Sequence, residues 1–178
     1  MIWQAVIVAA LVLGSTAAAQ QPASPEARLK ALGIELPPAP APVASYVPAV
    51  RTGNLVFLAG QGPMAGGKPT VTGKVGAELT EQQGYQAARS TILVSLAALR
   101  AEIGSLDRVR RVVKVVGFVN SAPGFTRQPW VMNGASDLLI EIFGDAGKHA
   151  RTSVAANELP LNIPVEIELI VEVAPDGK

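Results

Sequence analysis

"HARTSVAANELPLNIPVEIELIVEV", residues 149–173, decides how the rest of the chain is read. Its last nine residues alternate. Val165, Ile167, Leu169, Val171 and Val173 fall on one side, and Glu166, Glu168, Ile170 and Glu172 on the other. That period-two pattern predicts a strand with one buried and one open face. A shorter run that also reads as a strand opens with Arg151. An arginine heading one strand and three glutamates on the next either form a solvated surface or place Arg151 and one glutamate across a site.

Moving upstream, residues 129–143 carry Val131, Ala135, Leu138, Leu139 and Ile142 at helical spacing, and Gly144 stands where the helix should end. Before them, "RVRRVVKVVGFVN" (108–120) is β-branched enough for a central strand of about ten residues. The loop 121–128 separates the two. Thr80 and Gln83 form a capping box, followed by Ile92, Leu96, Leu99 and Ile103 on one helical face and Gly104 at the C-terminal cap. Residues 46–64 read as two short strands joined at Thr52-Gly53-Asn54, and 70–75 as a short edge strand. The order ββ(β)αβαββ predicts an α+β fold, a mixed β-sheet with two helices packed on one face.

The chain has 178 residues, 49% hydrophobic and 16% charged, which suits one domain with a proper core. Net charge is +1 and aromatics make up 4%, so neither a field for nucleic acid nor stacking platforms are expected. Arg108, Arg110, Arg111 and Lys114 fall on both faces of their strand, as a solvated strand start does. With no cysteine and the single histidine His149, disulfides, thiolate chemistry and a structural zinc site are not expected.

The first residues differ from the rest. Residues 5–13 are uninterruptedly apolar, and Ala17 and Ala19 occupy small-residue positions. This predicts a signal peptide over 1–19 with cleavage before Gln20, although 1–4 lack lysine and arginine. The mature protein would be exported, to a periplasm, with no membrane attachment. Over 20–44 the sequence predicts a short helix capped by Ser24, then a stiff linker, "LPPAPAP". The folded domain is expected over 45–178.

"FLAGQGP" (57–63), "VVKVVGFVN" (112–120) and the block from Ala150 through Leu159-Pro160 to Glu168 together resemble the reactive intermediate deaminase family, also called RidA or YjgF/L-PSP. The resemblance covers about residues 45–174, and the last block is the specific one. It implies a chorismate-mutase-like fold and a homotrimer with sites in clefts between subunits. It also implies hydrolysis of enamines and imines such as 2-aminoacrylate to a 2-keto acid and ammonia, with no cofactor or metal. Residue by residue, it implies that Arg151 grips a substrate carboxylate and Glu166 positions or activates water. Tyr46, Gly60 and, at a spacing shifted by about one residue, Asn133 would bind substrate. Ser153 stands where the family often has cysteine, and His149 where many members have an apolar residue or proline. Export would separate the chain from the cytoplasmic pyridoxal enzymes that generate the founding substrate.

The chemistry fits these residue types. A guanidinium fork donates two parallel hydrogen bonds to a carboxylate. One carboxylate can both activate water and return a proton to the leaving nitrogen. Read without the resemblance, Arg151 is first a strand-end surface ion pair, and Glu166 is equally part of a solvated face. Three functions follow: an imine deaminase, a non-catalytic small-carboxylate-binding protein, or a ribonuclease, the last disfavoured by composition.

Overall fold

The computed structural model describes residues 24–42 and 44–175. The expected signal peptide lies outside the described residues. Helix α1 (Pro25–Ala31) leads to strands β1 (Ala49–Thr52) and β2 (Leu55–Gln61), then the two-residue strands β3 (Met64–Ala65) and β4 (Lys68–Pro69). Helix α2 (Glu81–Ile103), strand β5 (Val109–Asn120), helix α3 (Gln128–Phe143), β6 (Ala150–Ala156) and β7 (Val165–Val173) follow. The main sheet runs β1-β2-β7-β5-β6, with only the β5–β6 pair parallel. That parallel pair requires a crossover, which α3 supplies. The mixed sheet and the two long helices on one of its faces are as the sequence predicts.

Local signals account for the long elements. The Thr80 hydroxyl accepts from the Gln83 amide, and the Gln83 side chain accepts from the Thr80 amide. Gly104, at φ 84°, closes the far end in a conformation that penalises a Cβ. Ile92, Leu96, Leu99 and Ile103 of α2 meet Val131, Leu138 and Ile142 of α3 and the inner face of β7 in one core. In β7, Val165, Ile167, Leu169, Val171 and Val173 are buried, while Glu168 and Glu172 are exposed.

Two expectations change. Residues 70–75 form no strand; the small extra hairpin is β3–β4, and Val75 makes only isolated bridges to Leu79 and Ser121. Short polar and glycine-rich runs carry too little pattern to fix pairing. Helix α1, expected as a short helix outside the folded domain and capped by Ser24 as predicted, is a third helix packed on the core. Leu29 is 3% exposed in the common core. The Glu26 carboxylate accepts from the Leu106 amide (3.0 Å), and Asp107 accepts from the Glu26 amide (2.9 Å). Packed structure therefore begins ahead of the proline-rich segment, not at residue 45.

The sheet's second face carries no helix among the described residues. Val50, Phe57 and Val154 are exposed there, beside the half-buried Phe118 and Ile170.

Candidate functional site

The register of the sheet decides where the predicted residues point. Side chains of residues paired across strands share a face. Arg151 pairs with Val115, which pairs with Leu169, which pairs with Leu58. This row faces the helices. Glu166 pairs with Phe118, which pairs with Val154, a row on the open face. Within one chain Arg151 and Glu166 therefore lie on opposite faces of the sheet and do not meet. The five predicted residues form two groups.

The first group gathers around Arg151, at the edge strand β6 and against α3. Gly117 of β5 makes this approach possible, since a Cβ there would lie 2.3 Å from Cε of Met132 on α3. With the helix that close, Arg151 Nη1 donates to Asn133 Oδ1 (3.0 Å) and Ser136 Oγ (2.8 Å), and Nη2 donates to the Pro129 carbonyl (3.0 Å). Three of the five guanidinium N–H groups are engaged with α3, which leaves the Nε–H and one Nη2–H, on neighbouring nitrogens, for a planar anion. Burial lowers the guanidinium's pKa below its ordinary value and nearby Asp137 opposes the shift; an arginine stays charged regardless.

His149, two residues before Arg151 on the same face, joins this group. Its Nδ1 lies 2.6 Å from the Gly147 carbonyl, which can only accept, so Nδ1 carries the proton. Nε2 then accepts from the Ser136 hydroxyl (3.0 Å). Burial is the main cause of a His149 pKa below its usual value, which keeps the ring neutral and this relay in place. Ser136 thus links His149 to Arg151. Sequence reasoning missed it, although Ser136 lies three residues after Asn133 on the same helical face. Ser153, the next inward residue of β6, buries a hydroxyl with no hydrogen-bond partner among the described residues.

The second group lines a cavity of about 700 Å³ at the end of β2. Tyr46, Gly60 and Glu166 all border it. Between Leu58 and Gln61 the β2–β7 register shifts by a residue, a bulge that carries Ala59 and Gly60 past the ladder. Gly60 has no side chain to spare room for: a Cβ would lie 2.1 Å from Glu166 Oε1. The carboxylate therefore rests over the glycine backbone. Burial, then the neighbouring Glu168, pushes the Glu166 carboxyl above the usual carboxylate range. The remaining walls are mostly apolar and include Pro37, Pro38, Met64, Leu161 and Ile163. Among the described residues, no group of three or more His, Cys, Asp or Glu side chains could hold a metal ion.

Residues 26–173 match the family described as "YjgF/chorismate_mutase-like, putative endoribonuclease". Protein TCP17 of Trypanosoma cruzi is 45% identical over 147 residues, covering 82% of this chain and 92% of the relative. The 2-iminobutanoate/2-iminopropanoate deaminase of Dermatophagoides farinae is 32% identical over 139 residues, 78% of this chain and 93% of the relative. Among solved structures, protein Atu1372 of Agrobacterium tumefaciens superposes with a TM-score of 0.78 at 44% identity, covering 84% of this chain and 92% of that one. With a family model matching most of the chain and relatives above 30% identity over most of their length, the chain belongs to the YjgF/RidA/RutC (L-PSP) superfamily.

Proposed function

We propose that this protein hydrolyses reactive 2-imino acids and their enamine tautomers to 2-keto acids and ammonia, without a cofactor, in a site shared between copies of the chain. The observation that carries the reading is the separation of the two groups. Arg151 with Asn133 and Ser136 makes an anion grip on one side of the sheet. Glu166 over Gly60 makes a lone, partly desolvated base on the other. Each is half of a hydrolytic site, and a second copy supplies the other half.

The steps follow from these groups. Arg151 binds the substrate carboxylate through its two remaining N–H donors. The imine carbon is then presented to a water held by Glu166. The carboxylate takes one water proton as the oxygen adds to carbon, giving a carbinolamine. It returns that proton to nitrogen, then takes the hydroxyl proton and passes it to the same nitrogen, so that the C–N bond breaks as the C=O forms and ammonia leaves. A raised carboxyl pKa suits both transfers, because general acid–base efficiency peaks when the pKa approaches the working pH, an effect of about 10²–10⁴-fold. The deaminase from Dermatophagoides farinae supports this reading.

The open face with Val50, Phe57 and Val154 supports association of copies, and we assign a homotrimer, which light scattering on the mature protein would give as three chain masses. Export is part of the proposal: N-terminal sequencing of the secreted fraction should start at Gln20. A second reading, binding of a small carboxylate without turnover, has one observation in its favour, because the Arg151 grip is complete without Glu166. Imino acids generated in situ by an amino-acid oxidase separate the two. Accelerated ammonia release supports hydrolysis, and tight keto-acid binding with unchanged imine decay supports the binder. A nuclease reading has only a family label behind it, and it sits poorly with a net charge of +1 and one histidine.

A further inference from the structure

Building on the imino-acid reading, we infer that the site selects imino acids with apolar side chains of leucine to phenylalanine size, and that the proline-rich segment between α1 and β1 is the wall that selects them. The segment is anchored before it reaches the cavity. Leu29 sits in the core, the Ile34 amide donates to the Leu29 carbonyl at 2.9 Å, and Ile34 and Leu36 pack against the same core. Pro37, Pro38 and Pro40 then line the cavity together with Met64, Leu161 and Ile163. Proline needs no hydrogen-bonded partner to hold an extended path, so this wall is formed before substrate arrives.

The dimensions and chemistry of the cavity indicate its occupant. About 700 Å³ is in the upper part of the range that holds small ligands. An alanine-derived imine offers one methyl group and leaves most of that space to water. An isobutyl or benzyl group displaces the water and buries its surface against proline, methionine, leucine and isoleucine side chains. A polar side chain would give up its hydrogen bonds to water with few replacements. A glutamate-derived imine would in addition bring a second carboxylate toward Glu166.

The test is a substrate panel on the full mature chain. Imino acids from alanine, leucine, phenylalanine and glutamate are generated by an amino-acid oxidase, and their decay is followed by trapping. The wild type should favour the leucine- and phenylalanine-derived imines over the alanine-derived one by about tenfold or more, and reject the glutamate-derived one. The triple substitution Pro37→Ser, Pro38→Ser, Pro40→Ser should erase most of that preference, bringing the ratio of leucine- to alanine-derived kcat/KM toward one. Leu161→Ala, a lining residue outside the proline segment, should also lower that preference. A preference for the alanine-derived imine, or a preference unchanged in both variants, overturns the inference and leaves the hydrolase standing. Failure of the wild type on every imine sinks the hydrolase, and this inference with it.

Discussion

Gly60→Ala isolates the role of Glu166 without altering its chemistry. The new Cβ would stand 2.1 Å from Oε1 and 2.9 Å from Cδ of Glu166, against the 3.4 Å at which ordinary contact begins. The carboxylate must swing away by roughly 1.3 Å, the difference between those two oxygen distances. The obstacle is the end of a flexible side chain and not backbone, so the strand itself need not move. A misplacement of about 1 Å in a catalytic group costs about 10²-fold in rate, or about 2.7 kcal/mol in the barrier. Folding stability should fall by about 1 kcal/mol or less, a Tm shift of about 2–4 °C. Thr80→Ala is the matched control: it removes the α2 cap at about 1 kcal/mol and touches neither half-site. The assay is kcat/KM for imino-acid decay beside thermal unfolding. Full activity in Gly60→Ala would refute the argument, because a displaced Glu166 could not then be the group that handles water. An equal activity loss in Thr80→Ala would refute it too, by reducing the effect to stability.

Three further predictions concern the remaining groups. Arg151→Lys should be nearly as damaging as Arg151→Ala, a loss of about 2–5 kcal/mol of transition-state stabilisation, because an ammonium cannot hold Asn133, Ser136, the Pro129 carbonyl and a carboxylate together; steady-state kinetics on both variants checks it. Glu166 is held above its ordinary 4.5, so the native state binds the extra proton and stability falls as pH rises through the window above 4.5. Glu166→Gln should remove that fall in pH-dependent denaturant melts and slow turnover while keeping carboxylate binding. His149 runs the other way: its native pKa is below 6.5, so the unfolded chain binds more protons and stability is lost as pH falls below 6.5. His149→Gln should flatten that segment of the same melt series.

Much of the scaffold can be read locally. The alternation of 165–173, the Thr80–Gln83 box and the apolar stripe of α3 each state a period and a boundary within a few residues, and the packed fold keeps all three. Helix α1 could be located by its cap but not by its docking, because Leu29 finds the core and Glu26 finds Leu106 only across some eighty residues. The site was legible as a set of residue types and not as a geometry. Which face Arg151 takes depends on its pairing with Val115, and which face Glu166 takes depends on Phe118. Pairing across strands leaves no trace in the spacing of either segment, so residues that read as partners came out back to back. Ser136 escaped notice for a related reason, since a serine on a helix acquires meaning only when Arg151 and His149 arrive beside it.

The central claim, that the two half-sites belong to different copies, is tested by mixing two inactive chains. Arg151→Ala retains Glu166, and Glu166→Gln retains Arg151. The two proteins are unfolded together at equal concentration, refolded, and confirmed as mixed oligomers by native mass spectrometry. A working site needs its Glu166 from one variant and its Arg151 from the other, so random assembly should restore about a quarter of wild-type turnover. Mixed oligomers no more active than either parent alone would contradict the account.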